Sequence, residues 1–130
     1  MQVDFVPEML GIGNHRVVWS HENPGLVVKT PRKNNRFGSN EGIIKNLEEW
    51  YAWEMAGARL RKWLCRPHEV LCSGVIIIME RGDPIDYEPE DAPGILAKNN
   101  NQYPNWVMVN GEPKRCDYHL IYEELKKQKK

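Results

Sequence analysis

Hydrophobic and polar positions give this chain two textures. In residues 1–40 the apolar positions come in short runs. Arg16-Val17-Val18-Trp19 and Leu26-Val27-Val28-Lys29 read as strands, and His21-Glu22-Asn23-Pro24-Gly25 between them is turn chemistry, so a hairpin is expected. A Gly-x-Gly turn at Gly11 and Gly13 precedes it, and residues 34–40 form a polar loop. Over 41–64 the period changes. Ile43, Leu47, Trp50, Tyr51, Met55 and Ala58 roughly follow the i, i+3, i+4 spacing of an amphipathic helix, with Gly57 as a point where it can break and Pro67 as its end. Residues 69–74 and 75–79 follow as strands, the second β-branched and nearly all apolar, as in a strand buried on both faces. Residues 80–94 are acidic and rich in proline and glycine, a linker composition. Residues 95–98 allow one helical turn, and 99–104 read as a loop. Trp106-Val107-Met108-Val109 and Pro113-Lys114-Arg115-Cys116 flank Asn110-Gly111, a strong hairpin signal. Residues 122–130 read as a charged helix or a frayed tail. The expected class is α+β, in one domain spanning 1–130.

The composition narrows the function classes. The 130 residues hold 18 Lys+Arg and 18 Asp+Glu, so the formal net charge is zero, which argues against a nucleic-acid binder. No apolar run approaches the ~20 residues of a bilayer span, and Met1-Gln2-Val3-Asp4 lacks the basic and apolar regions of a signal peptide. Cys65, Cys72 and Cys116 are odd in number and widely spaced, which points to reduced thiols in the cytoplasm. Five tryptophans mark a core and a binding surface. Cys65-Arg66-Pro67-His68 and Cys116-Asp117-Tyr118-His119 share a Cys-x-x-His spacing, so a structural zinc site is an alternative use of these residues.

The Gly11-Ile12-Gly13 turn and the Val27-Val28-Lys29 strand, followed by a long helix, two strands, a linker and a hairpin, resemble a protein-kinase N-lobe with the C-lobe cut to almost nothing. The order is similar across nearly the whole chain. In that family, backbone amides of the glycine hairpin cover the ATP phosphates and the strand lysine pairs with them and with a helix glutamate. The resemblance implies three regions: an N-lobe-like part (1–80), a hinge (81–94) and a C-lobe remnant (95–130). It places Gly11 and Gly13 at the first two loop glycines, with Arg16 at the third, a departure that need not prevent phosphate binding. It places Val18 and Val27 against the adenine, Lys29 on the phosphates, Met79 behind the adenine, the backbone of Glu80 and Gly82 at its edge, and Val107 beneath it. For the helix carboxylate, resemblance favours Glu49 and helical periodicity favours Glu54.

At the catalytic end the pattern fails. Asn105 and Asp117 match the metal-binding asparagine and aspartate, although both residue types are also ordinary in turns. The position of the catalytic aspartate is Asn100, whose neutral amide cannot accept a proton as a carboxylate does. His119 replaces a glycine, and only thirteen residues follow Asp117, too few for a protein-substrate lobe. The chain thus resembles the trimmed kinase-like proteins of bacteriophages, which implies a place in the host cytoplasm. The expected function is a pseudokinase that retains an ATP and magnesium site at most and acts by binding protein, either a host protein or itself as a dimer. The alternatives are an active minimal phosphotransferase or ATPase, with Asp83 or Asp86 as substitute base, and a zinc-stabilised structural adaptor.

Overall fold

The computed structural model describes residues 5–33, 40–97 and 106–128. The expected hairpin forms from β2 (Arg16–Ser20) and β3 (Leu26–Pro31), and β1 (Met9–Ile12) pairs with β2 on its other side. Hydrogen bonds from Gly25 N to the Asn23 side chain (2.9 Å) and from Leu26 N to Asn23 O (3.1 Å) close the β2–β3 turn. With β4 (Pro67–Leu71) and β5 (Ile76–Glu80), these strands make one antiparallel sheet in the order β1-β2-β3-β5-β4. A second, three-stranded sheet has the order β6-β7-β8, from β6 (Asp83–Pro84), β7 (Trp106–Val109) and β8 (Glu112–Arg115). Its β7–β8 turn uses Asn110 at φ 51° and Gly111 at φ 80°, the two positive values that a type I′ hairpin requires. Within the expected linker, Asp83 and Pro84 pair with Met108 and Val107 as a short edge strand, a place proline tolerates.

The helix expected over 41–64 is two helices, α1 (Asn40–Met55) and α2 (Ala58–Arg61), broken at Gly57. The face that α1 buries also differs from its apolar stripe. Gly42, Asn46, Glu49 and Ala52 are buried, whereas Ile43, Leu47 and Trp50 are half-buried and Tyr51 and Ala58 are exposed. The helix lies against the sheet on a polar and small-residue seam, and its apolar residues flank that seam. Gly42 permits this approach, because a Cβ there would lie 2.5 Å from Pro31 Cα and 2.6 Å from the His15 carbonyl oxygen. Residues 94–97 form the expected helical turn, α3 (Gly94–Ala97), and the C-terminal segment is the helix α4 (Ile121–Gln128).

One buried cluster joins the two sheets and the helices. It includes Ala52, Ile77, Met79, Leu96, Trp106, Val107, Tyr118 and Ile121. Trp63 meets Trp106 edge to face at 6.2 Å, and Trp50 and Trp53 pack on the cluster's rim, so these tryptophans serve the core. No helix among the described residues is long and apolar enough to cross a membrane.

Candidate functional site

Antiparallel register builds the site. Gly11 pairs with Val18, Val18 with Lys29, and Lys29 with Ile77. Directly paired residues share a face, so this row points to the inner side of the sheet, as does the next row, Val27 with Met79. Arg16 lies two residues before Val18 and therefore on the same side. α1 crosses this face and presents Asn46 and Glu49 to it.

Glu49 is fully buried and saturated. Its Oε1 accepts from Lys29 Nζ at 2.7 Å and from Arg16 Nη1 at 2.9 Å. Its Oε2 accepts from Arg16 Nη2 at 3.1 Å and from the Tyr118 backbone N–H at 2.9 Å. Four donors fill the four lone-pair positions of one carboxylate. The choice between two helix glutamates is thereby decided: Glu54 is exposed and away from Lys29, and its carbonyl accepts from Arg61. Periodicity misled because the buried face of α1 is polar.

Arg16 is the hub of the cluster. Besides the fork to Glu49, it donates to Asn46 Oδ1 at 3.2 Å and to Asp117 Oδ1 at 3.0 Å. Asn46 in turn donates to the carbonyls of Gly74 (2.9 Å) and Lys29 (3.3 Å), tying α1 to the sheet. Asp117 Oδ1 also meets His119 Nδ1 at 2.8 Å, and a proton on Nδ1 makes His119 the donor. Lys29 Nζ further donates to the Cys116 carbonyl. The residue after Asp117 locks the hairpin into the core: Tyr118 is 1 % exposed and its hydroxyl donates to Cys65 O at 2.8 Å.

The electrostatics follow from these distances. Burial raises Glu49 and Asp117, but the Arg16 guanidinium, with Lys29, outweighs it and holds both below their ordinary range; the His119 hydrogen bond adds to this for Asp117. Burial likewise lowers Arg16, and the carboxylates of Glu49 and Asp117 outweigh it, so its pKa is raised. The charges of Arg16 and Lys29 are matched by the two carboxylates, so neither cation is left unpaired to attract a phosphate.

Each of the other expected site residues has a definite place. Val18 and Gly11 sit in the sheet row above Lys29, and a Cβ on Gly11 would meet nothing within 4 Å. Gly13 N donates to Arg16 O at 2.8 Å in a tight turn. Met79 and Val107 are buried members of the one core cluster, and Val27 packs against it. Glu80 pairs with Lys114 at 3.2 Å, and its backbone N–H donates to Arg66 O at 2.8 Å. Gly82 lies directly on β7, where an added Cβ would stand 2.7 Å from both Val107 and Val109. Asn100 and Asn105 lie outside the described residues.

The zinc alternative finds no support in the geometry. The Cys65 and Cys116 segments do meet, with Cys65 N donating to Arg115 O at 2.9 Å. His68, however, is exposed, and His119 turns to Asp117. Among the described residues the metal-ligand atoms that gather are those of Glu49, Asp117 and His119, within 4.8 Å of one another. Arg16 Nη2 lies 3.0 Å from Asp117 and 3.1 Å from Glu49, so a cation of the chain itself already stands among them. In this arrangement the donor set does not fit magnesium, which needs free oxygens around it.

Sequence reading did not find Asn46, and it noted Arg16 and His119 only as replacements for motif glycines, His119 also as an alternative zinc ligand. The available signal was the arginine at the third loop position, where family resemblance expects glycine. The fold and the site together define an α+β protein with a charge-neutral, buried cluster between its sheet and its main helix. Comparison of the chain with family models, curated proteins and solved structures finds no match in any of the three.

Proposed function

We propose that this chain is a catalytically degenerate, kinase-like module that closes its own phosphate site and acts through protein binding. Three features support the kinase-like part. The sheet is antiparallel with the Gly-x-Gly hairpin at one edge, Lys29 stands on the third strand, and the helix glutamate Glu49 pairs with it at 2.7 Å. A strand lysine paired with a helix glutamate is the arrangement that holds ATP phosphates in kinases. The observation that carries the degenerate part is Arg16. Its guanidinium donates to the carboxylates of both Glu49 and Asp117, the residues that kinase resemblance would assign to the lysine partner and the metal. A nucleotide phosphate would need to displace a buried, bidentate arginine and would find a cluster of zero net charge. Met79 and Val107 support the same conclusion, because the residues expected behind and beneath an adenine belong to one packed core.

The test is thermal unfolding with and without ATP and magnesium. A ligand at about 100 times its Kd stabilises a fold by about 2.7 kcal/mol. The wild-type chain is expected to show no shift at millimolar nucleotide. Arg16→Gly, which places a glycine at the third loop position and removes Arg16 from both carboxylates, is expected to gain one. A wild-type shift that disappears in Lys29→Ala would overturn the closed-site reading and favour the active phosphotransferase.

A further inference from the structure

Two surfaces of opposite charge adjoin each other away from the Arg16 cluster. The first is a groove of about 520 Å³ between α2, the segment that opens α3 and the end of α4 at Gln128. Leu60, Trp63, Pro93 and Ile95 line its apolar part, and Arg59 and Lys62 its basic part. Both basic residues are exposed, and among the described residues no carboxylate lies within ion-pair distance of either. The second surface is the segment 83–91. Its five carboxylates, Asp83, Asp86, Glu88, Glu90 and Asp91, are exposed, and none lies within ion-pair distance of a cation among the described residues, although Glu88 is near enough to Arg115 to favour its charged form. At its centre Tyr87 is 54 % exposed, between Asp86 and Glu88. The β6–β7 pairing and the buried Pro89 hold the segment in place, so little ordering entropy opposes a contact made there.

The two surfaces complement each other in chemistry. An apolar floor with a basic rim receives an aromatic side chain flanked by carboxylates, and buried aromatic anchors carry most interface energy. Tyr87 does not line the groove of its own chain. The acidic segment runs directly into the groove wall, since Pro93 follows Asp91 by two residues. A patch and its counter-patch side by side are what a two-fold interface needs, because rotation sets each upon the other. The zero net charge removes long-range repulsion between copies.

We infer that the chain forms a two-fold dimer in which residues 83–91 of each copy seat in the α2–α3 groove of the other. Tyr87 is the apolar anchor, and Asp86 and Glu88 face Arg59 and Lys62.

Sedimentation of the full chain from about 1 to 200 µM tests this. The expected result is a monomer–dimer equilibrium whose Kd rises about tenfold or more between low and high salt. The double variant Arg59→Glu/Lys62→Glu is expected to be monomeric, and so is Asp86→Lys/Glu88→Lys. Mixed in equal amounts, the two variants are expected to dimerise, because each reversed surface then meets its complement. All four positions are exposed, and thermal unfolding checks that each variant folds. Should either fail to fold, Tyr87→Ala takes its place, with a Kd about tenfold weaker expected. A wild type monomeric throughout, a dimer indifferent to both reversals, or a mixture that stays monomeric would overturn the inference. A monomer that binds a free peptide of sequence 83–91 would also overturn it and assign the groove to another acidic partner.

Discussion

Arg16 and Glu49 meet as a fork against a carboxylate, with Nη1 to Oε1 at 2.9 Å and Nη2 to Oε2 at 3.1 Å, both side chains buried and 33 residues apart in the chain. The pair joins the first turn of the sheet to the middle of α1. Burying two such charges is costly, and geometry of this kind, with every lone pair filled, offsets the cost.

Removing the carboxylate leaves Lys29 with no carboxylate partner and Arg16 with Asp117 alone. Glu49→Gln is therefore expected to lower stability by about 3–5 kcal/mol in urea unfolding. Lys29→Met removes only one of the four donors and keeps the Arg16 fork, so a smaller loss, about 1–3 kcal/mol, is expected. Equal losses for the two variants would show that Lys29, and not Arg16, is the principal partner of Glu49.

Gly42 sets the distance between α1 and the sheet. Ala at this position would place its Cβ 2.5 Å from Pro31 Cα, so the helix must retreat and loosen the Asn46 and Glu49 contacts. Gly42→Ala is expected to cost about 1–3 kcal/mol by overpacking, read as a fall in Tm. Gly57→Ala is the control. A Cβ at Gly57 meets nothing within 4 Å and its φ is −78°, but Gly57 is also the N-cap of α2, where Gly is preferred to Ala, so the two effects oppose and a net change within about 0.5 kcal/mol is expected.

Acid should dismantle the cluster. The folded pKa of Glu49 and of Asp117 is depressed, because Arg16 and Lys29 outweigh burial. Such groups stabilise the fold above the unfolded carboxylate pKa, about 4, and the contribution is lost as pH falls through the lower folded value. The stability difference between wild type and Asp117→Asn is expected to be widest at neutral pH and to narrow progressively as pH falls below about 4. A difference that widens as pH falls would reverse the sign of this coupling.

The three thiols should separate by reactivity. Burial pushes the Cys65 thiol well up and Cys116 up to about 11, the nearby carboxylates of Asp117 and Glu49 adding to the effect on Cys116. Cys72 is exposed. With a thiol reagent at pH 8, one equivalent is expected to react at once and two at least about a hundredfold more slowly. Three thiols of equal rate in the folded chain would contradict this placement.

Local signals carried far in this chain. The Asn-Pro-Gly turn, the Asn110-Gly111 hairpin, the apolar strand before Glu80 and the break at Gly57 were all legible, because each depends on backbone preferences within a few residues. The linker composition of 80–94 concealed the short strand β6, whose pairing partner lies more than twenty residues away along the chain. The α1 seam was hidden for another reason. Periodicity weighs apolar residues, and Gly42, Asn46, Glu49 and Ala52 contribute little to that signal although they are the residues in contact.

Sequence alone determined the α+β class, the order of the main strands and the long helix, the two hairpins and the presence of a lysine and an aspartate on strand and turn. The identity of the glutamate beside Lys29 and the closure of the site by Arg16 were decided by tertiary structure. The reason is that a buried charge is tolerated only where partners converge from distant elements, here β2, β3, α1 and the turn after β8. That convergence is set by strand register and by the Gly42 contact, and no window of neighbouring residues contains it.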